Sequence, residues 1–546
     1  MKHTAWLFLV LLLGGCQLPK DKAEALSEKF PAIKHNMNDS TWYNRKVGSA
    51  RYMLEVKYGD PRVAIEKARQ QGADAEACYI KTVAFSALEQ VDSAMHYLRL
   101  AVDYGLPPGR FMAGPDAFLA GLHATPEYQE WFAEQATMLV HGPMVGNVFD
   151  TSAILWVRTA NEAEVAFLMS ENRRMRRAFA TPSHQTKADR EYAVQVMIGD
   201  LRPDTRYFYQ VVIDGQLHPG VYSFSTQPPA GKPAEVAVAF GGGGGYIPWH
   251  RHMWTTLAQH DLNGLLLLGD NVYIDYPEHP YIQEYCYYQR QSEREWRHLV
   301  SQTPIYAIWD DHDFADNDDY GGPDIDYPEW KIPVFNTFRN QWANVSYGGG
   351  DAQPGVWFSF QMADVEFFML DGRYYREPAY VDDTISQPSM LGPVQKAWLL
   401  KSLLHSDATF KVIVSPVPWA YAAKGEMEGR YDHWKGYKQE RDELFGFLAE
   451  NQIEGVVLMS ADRHRSDLWK IHRDDGYPLH EFESSKLTNT HTHRCIPEAE
   501  YCYNEKCSFG KLIFRSHADE PYILYEIWSI ENEKVFEYTV YLKELK

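Results

Sequence analysis

The sequence predicts a multi-domain chain in three parts: a small α-helical N-terminal domain, a β-sandwich, and an α/β layered domain that fills the C-terminal half. Apolar residues recur at helical spacing before residue 107 and alternate with polar residues between 142 and 229. Beyond that they gather in short continuous runs separated by helical stretches. A chain of 546 residues also exceeds what one hydrophobic core ordinarily fills. The net charge of -21 opposes general affinity for nucleic acid, so no nucleic-acid partner is expected.

The first residues read as an export signal. Met1-Lys2-His3 is a short basic start, and the apolar run over residues 4–13 is too short to span a bilayer. Leu13-Gly14-Gly15-Cys16 resembles the lipobox of bacterial lipoproteins, which makes residues 1–16 the signal segment and Cys16 the acylated lipid anchor to the membrane. Gln17 follows in place of Asp, and in that class this suggests the outer membrane or the periplasmic face of the cell envelope. An ordinary signal peptide with an incidental cysteine is the other reading. Five cysteines remain, and an oxidising compartment favours one local bridge among Cys495, Cys502 and Cys507.

Residues 17–138 form the helical part. Ile80, Val83, Ala84, Ala87 and Leu88 keep helical spacing, and Asp92 is the expected N-cap of a second helix carrying Met95, Leu98 and Val102. The pair over residues 77–106 resembles a tetratricopeptide-type hairpin, which implies a protein partner; a plain helical domain is the alternative. Within residues 139–230, Tyr192, Val194, Val196 and Ile198 alternate, as do Tyr207, Tyr209, Val211 and Ile213 before an Asp214-Gly215 turn. Leu201-Arg202-Pro203-Asp204-Thr205-Arg206-Tyr207 resembles the fibronectin type III segment whose tyrosine closes a corner of the sandwich. From residue 234 to 546, the runs 236–240, 265–268, 305–308, 367–370, 412–414 and 456–459 are continuously apolar, the pattern of strands covered on both faces.

Three of these runs end on ionisable residues. They lead into Gly269-Asp270-Asn271-Val272-Tyr273, Trp309-Asp310-Asp311-His312-Asp313 and Ser460-Ala461-Asp462-Arg463-His464. Sheets of α/β domains bind ligands beyond the carboxyl ends of their strands, so three such ends predict one composite site. Hydrolysing a phosphoester requires charge neutralised on the phosphoryl oxygens and a nucleophilic water near neutral pH, both supplied by clustered divalent or trivalent cations. Asp270, Asp311 and Asp462 offer carboxylates, His312 and His464 offer imidazoles, and Tyr273 offers a phenolate suited to a strongly Lewis-acidic ion.

In order and spacing these motifs, together with Leu370-Asp371-x-Arg373-Tyr374-Tyr375-Arg376, resemble the PhoD-like alkaline phosphatase/phosphodiesterase family, a metallophosphoesterase group. Trp434-Lys435-Gly436-Tyr437 and Ser484-Ser485-Lys486-Leu487-Thr488-Asn489 add to the likeness, which runs from about residue 142 to the C-terminus. The resemblance implies a phosphoester substrate and two or more metal ions, iron and calcium in that family, held by Asp270, Tyr273, Asp311, Asp462 and His464. It implies His312 as the group that steadies the leaving group or the transferring phosphoryl. Arg373 and Arg376 become a phosphate clamp, Arg373 with a catalytic part, and Asp310, Asp313 and Asn317 with Asp318 stand behind the ligands or hold calcium.

One departure from the family pattern is plain. Where the family usually presents Gly-Ser-Cys after its first strand, this chain has Phe240-Gly241-Gly242-Gly243-Gly244-Gly245-Tyr246 and so no thiolate. The backbone N–H groups of Gly242 and Gly243 are then expected to bind phosphate as an anion nest, a flexible loop being the other reading. His250 and His252, just downstream, are candidates to replace the missing ligand. The expected function is a lipid-anchored, metal-dependent phosphoester hydrolase; the rival is a catalytically weak surface lipoprotein that binds a phosphorylated or polymeric ligand.

Overall fold

The computed structural model describes residues 42–70, 74–135, 138–380, 387–423 and 431–546. Cys16 and the export segment lie outside the described residues. The described residues open with two helical hairpins, Trp42–Tyr58 with Pro61–Arg69 and Ala75–Ala87 with Val91–Asp103, followed by the short helices Asp116–His123 and Pro126–Ala133. Side chains of Asp60, Asp74 and Thr125 accept N–H groups of the first turns they precede, which satisfies donors the helices leave open. Asp92 is not a cap. The helix starts at Val91, and Asp92 sits in its first turn, where a carboxylate meets the positive end of the helix dipole.

The helical part packs against the rest of the molecule. Glu76 accepts two hydrogen bonds from Arg110, at 3.0 and 2.8 Å, and a third from the Tyr285 hydroxyl at 2.7 Å. Tyr285 belongs to the helix Pro280–Ser292 of the C-terminal domain, and its ring stacks on Tyr79. Helices and C-terminal domain therefore share one continuous core.

In the sandwich, a three-stranded sheet of Leu139–Val148, Ala153–Thr159 and Ala193–Ile198 packs on a sheet centred on Glu164–Ser170 and Arg206–Ile213. The Tyr207 hydroxyl accepts the Arg202 N–H at 2.9 Å and ties the corner between them. Asp214 and Gly215 both take positive φ, the geometry of a tight hairpin turn.

The six apolar runs divide between two sheets. Glu235–Gly241, Gly264–Leu268 and Ile305–Ile308 lie in a six-stranded sheet; Val365–Met369, Phe410–Val414 and Val456–Ser460 lie in a seven-stranded one. Their inner faces meet through Phe514 against Phe367 and Phe410, and Tyr525 against Phe482. On the outer face of the second sheet Phe368, Ile413 and Leu458 are covered by Leu399, Leu403, Leu444 and Leu448 of the helices Gly392–His405 and Lys438–Glu450. Successive residues of one strand point to opposite faces, so cover on both sides demands an unbroken apolar run. Gly264–Leu268 and Ile305–Ile308 run parallel to their neighbours, as does Val456–Ser460 to the strand Phe410–Val414.

Candidate active site

Close approach of two strand ends creates the site. Gly269 has φ +108°, and a Cβ there would lie 2.4 Å from the Cβ of Asp310. Only glycine allows this contact. Gly269→Ala should cost about 3 kcal/mol or more, measured as a lower midpoint of denaturation.

Asp270, Asp311 and His312 each bring a ligand atom within 4.8 Å of the others, and all three are buried. Asp311, Asp318 and Asp432 make a second group of the same dimension, so the Asp311 carboxylate is common to both. Buried Asp270 Oδ1, Asp310 Oδ2 and Asp311 Oδ1 have no hydrogen-bond partner among the described residues. Buried carboxylate oxygens left unpaired are costly, and hard cations are the partners that suit an oxygen-rich cluster of this kind. The residues present therefore fit metal ions.

The charges are strongly unequal. Burial, then the neighbouring Asp311 carboxylate, pushes Asp270 well above the usual carboxylate range. Burial also opposes ionisation of Asp311, but the Arg373 guanidinium and His312 outweigh it and take the group down to about 2. For His312 burial disfavours the charged ring, yet Asp311, Asp270 and Asp275 together hold its pKa well above the ordinary value. The His312 Nδ1 lies 2.5 Å from Asp275 Oδ1, which leaves Nε2 for the site. Tyr273 packs its ring 4.5 Å from that of His312, and its hydroxyl accepts the Asn489 amide at 2.5 Å.

Asp462 and His464 close the adjoining side, each with a left-handed backbone at φ +74° and +49°. Asp270, at +51°, shares this conformation. Such residues cost roughly 1–3 kcal/mol each and persist only where their surroundings hold them. The glycine loop fills the gap between the strand ends: a Cβ on Gly242 would stand 2.9 Å from Ala461 Cβ and 3.0 Å from the Gly269 oxygen.

The N–H groups of Gly242, Gly243 and Gly244 are already taken by backbone acceptors. Gly242 donates to Ser484 O, Gly243 to Gly269 O and Gly244 to Asp270 O, at 3.2, 3.3 and 2.6 Å. Gly243 O in turn accepts from both Thr488 and Asn489. The expected nest at Gly242 and Gly243 is thus already closed, and the loop is cross-linked, contrary also to the flexible reading. His250 and His252 do not replace the missing thiolate. The His250 Nδ1 is 2.7 Å from Thr488 O, and the His252 ring lies between Trp249 O and Glu531.

The arginine clamp is corrected as well. Arg373 is fully buried: Nε donates to Asp310 at 2.5 Å, Nη1 to Asp432 at 2.7 Å and Asp319 O at 3.1 Å, and Nη2 to Asp432 at 3.2 Å. Arg376 pairs with the same Asp432 and bonds Tyr437 and Tyr431. Neither guanidinium has an edge left for phosphate, and both neutralise the acids behind the site. Asp313 accepts the N–H groups of Asn271, Val272 and Asp310 and so locks the first two motifs together. Asn317 is exposed and joins neither cluster; its neighbour Asp318 does.

Sequence reasoning missed Asp275 and Asp432. Asp275 lies two residues beyond Tyr273 on the same loop, and Asp432 directly precedes the His433-Trp434-Lys435-Gly436-Tyr437 stretch. Each had a signal in its neighbourhood but no apolar strand in front of it. The disulfide forms between Cys495 and Cys502, while Cys78, Cys286 and Cys507 remain buried thiols.

Comparison with known proteins agrees with this geometry. A family model described as PhoD-like phosphatase matches residues 243–495, and one described as the N-terminal domain of PhoD-like phosphatase matches residues 125–228. Alkaline phosphatase D of Bacillus subtilis (strain 168) is 22% identical over 391 residues, 61% of this chain and 65% of that protein, so the chain spans just under two thirds of its relative. The solved structure of PhoD matches with a TM-score of 0.60 at 18% identity, over 73% of this chain and 92% of that one. Purple acid phosphatase PPD1 of yellow lupin (Lupinus luteus) seeds matches with a TM-score of 0.53 at 13% identity, over 75% of this chain and 76% of that one. At these identities the two structures speak for a common fold.

Proposed function

The chain belongs to the PhoD-like phosphatase family, and from that premise we propose that it is a metal-dependent phosphoester hydrolase. The observation that carries the reading is the pair of largely buried clusters sharing Asp311, with the Asp270 Oδ1 and Asp311 Oδ1 oxygens left without a hydrogen bond among the described residues. Asp270, Tyr273, Asp311, Asp462 and His464 are the residues that would hold two or more cations, with His312 beside them. When bound, these supply charge neutralisation on the phosphoryl group and a water acidic enough to attack near neutral pH. The chain's own part is positional: the arginines pair with Asp310 and Asp432 and fix them, and Asp275 orients His312 so that Nε2 faces the substrate. A protonated His312 can hand its proton to the leaving oxygen.

Treatment with a chelator should abolish hydrolysis, and adding back divalent cations should restore it. Activity on a panel of monoesters and diesters that survives exhaustive chelation would sink the proposal. Asp275→Asn should lower kcat by roughly 10- to 100-fold with little change in KM. Because the Asp275 carboxylate is one of the groups that raise the His312 pKa, its loss should also shift the alkaline limb of the pH–rate profile to lower pH. A limb that stays in place would separate His312 from the proton transfer.

The start of the chain supports export with lipid attachment at Cys16. Metabolic labelling with palmitate should mark the wild type, and Cys16→Ala should lose the label and move to the soluble fraction. Iron and calcium are the ions that the family resemblance suggests, with elemental analysis as the test.

A further inference from the structure

We propose that the sandwich turn Arg173-Arg174-Met175-Arg176-Arg177, with Phe179 beside it, is a docking surface for an anionic lipid layer, whose headgroup phosphates it binds; this stands apart from the phosphoesterase reading and from acylation at Cys16. Four guanidinium groups fall within five residues of a chain whose net charge is -21. All four arginines are exposed, and none of them forms an ion pair with a described residue. No acid lies between residues 172 and 180, and Glu171, just before them, is paired with Arg202. Phe179 is 44% exposed although it is a large apolar ring.

Short hydrogen bonds set the shape of the turn. Ser170 Oγ donates to Arg176 O at 2.7 Å and accepts the Asn172 N–H at 3.1 Å. Asn172 Oδ1 accepts the Arg174 N–H at 2.9 Å, and Asn172 O accepts the Met175 N–H at 2.8 Å. Met175 and Arg177 both take left-handed backbone, at φ +54° and +55°. None of these bonds uses a guanidinium group, so the backbone is held while the charged ends stay available, and less freedom is lost on binding. Guanidinium groups match phosphate oxygens in pairs. Five residues of chain span at most about 18 Å, too little for the continuous basic track that a nucleic acid needs, and the acidic remainder repels such a polymer. A lipid layer instead gathers its phosphates around a fixed turn and offers an apolar zone just below them, where an aromatic ring such as Phe179 is favoured. Repulsion of the acidic remainder then fixes which face of the molecule turns toward that layer.

The test is co-sedimentation of the full chain with vesicles of phosphatidylcholine alone or of phosphatidylcholine mixed with phosphatidylglycerol, at low and high salt. Every protein compared carries Cys16→Ala, so that no acyl chain masks the difference. The parent protein should prefer the anionic vesicles, and the preference should shrink as salt rises. Adding Arg173→Ser/Arg174→Ser/Arg176→Ser/Arg177→Ser should lower partitioning onto anionic vesicles by roughly 100-fold and leave the neutral ones unaffected. Should that variant fold poorly by circular dichroism, Arg173→Ser/Arg174→Ser should lower it by roughly tenfold. Phe179→Ser should weaken binding to anionic vesicles while keeping its salt dependence. Equal binding by parent and arginine variants, or a parent that does not tell anionic from neutral vesicles, overturns the inference. Binding to inorganic polyphosphate as tight as to vesicles, and indifferent to Phe179→Ser on both, also overturns it and assigns the turn to soluble polyanions.

Discussion

Asp311→Asn is expected to lower kcat/KM by roughly 10³-fold while the protein stays folded. The size of the expected loss follows from position. Asp311 is the carboxylate common to Asp270–Asp311–His312 and Asp311–Asp318–Asp432, so one substitution weakens both cation clusters. Its other contacts are the Asp318 N–H, which Oδ2 accepts at 2.8 Å and an asparagine oxygen can still accept, and Arg373 Nη2 at 3.7 Å from Oδ1, a guanidinium that keeps its closer pairs with Asp310 and Asp432. Circular dichroism and the denaturation midpoint should therefore change little, whereas metal content and turnover fall together. Activity within a few-fold of wild type would remove Asp311 from the chemistry.

Arg373→Ala acts on stability instead, and should cost about 3–5 kcal/mol in chemical denaturation. Burial disfavours the guanidinium, but Asp310, Asp432 and Asp311 more than offset it and hold the group charged. Removing it leaves Asp310 and Asp432 as buried carboxylates with much of their compensation gone, and truncating one member of a buried ion pair is the costly case. A surface-clamp role predicts the opposite pattern: unchanged stability with weaker inhibition by phosphate. Measuring both quantities on one variant distinguishes them.

Some parts of the site were legible in the sequence. Asp270, Asp311 and His312 each follow a continuous apolar run, and a run buried on both faces must stop where the sheet ends, so the first ionisable residues after it lie at that edge. The division of the six runs between two facing sheets was not legible, because a strand covered by a second sheet reads the same as one covered by helices. Arg373 was misread for a related reason. Its type and place suit phosphate binding, but its partner Asp432 is 59 residues away, and nothing local announces that the charge is already matched. The glycine loop misled too, since five glycines suggest exposed amides, while their acceptors come from strand ends remote in sequence. At Asp92 the miss was smaller: a residue that favours caps was found one turn position inside the helix.

The glycine loop also limits how this protein could be redesigned. A single replacement at position 243 meant to install a new ligand would place a side chain on a backbone at φ +70° and bring its Cβ to 3.0 Å from the Lys486 N. Any such change would have to carry compensating shifts in the segment that bears Lys486, Thr488 and Asn489, all of which lean on the loop. New ligands are more readily grafted onto the exposed arm after residue 489, where the His491 and His493 rings already pack against His464. Variation in metal preference is therefore expected to concentrate in that arm, and libraries built there should retune the protein while those built at residues 241–245 mainly yield unfolded protein.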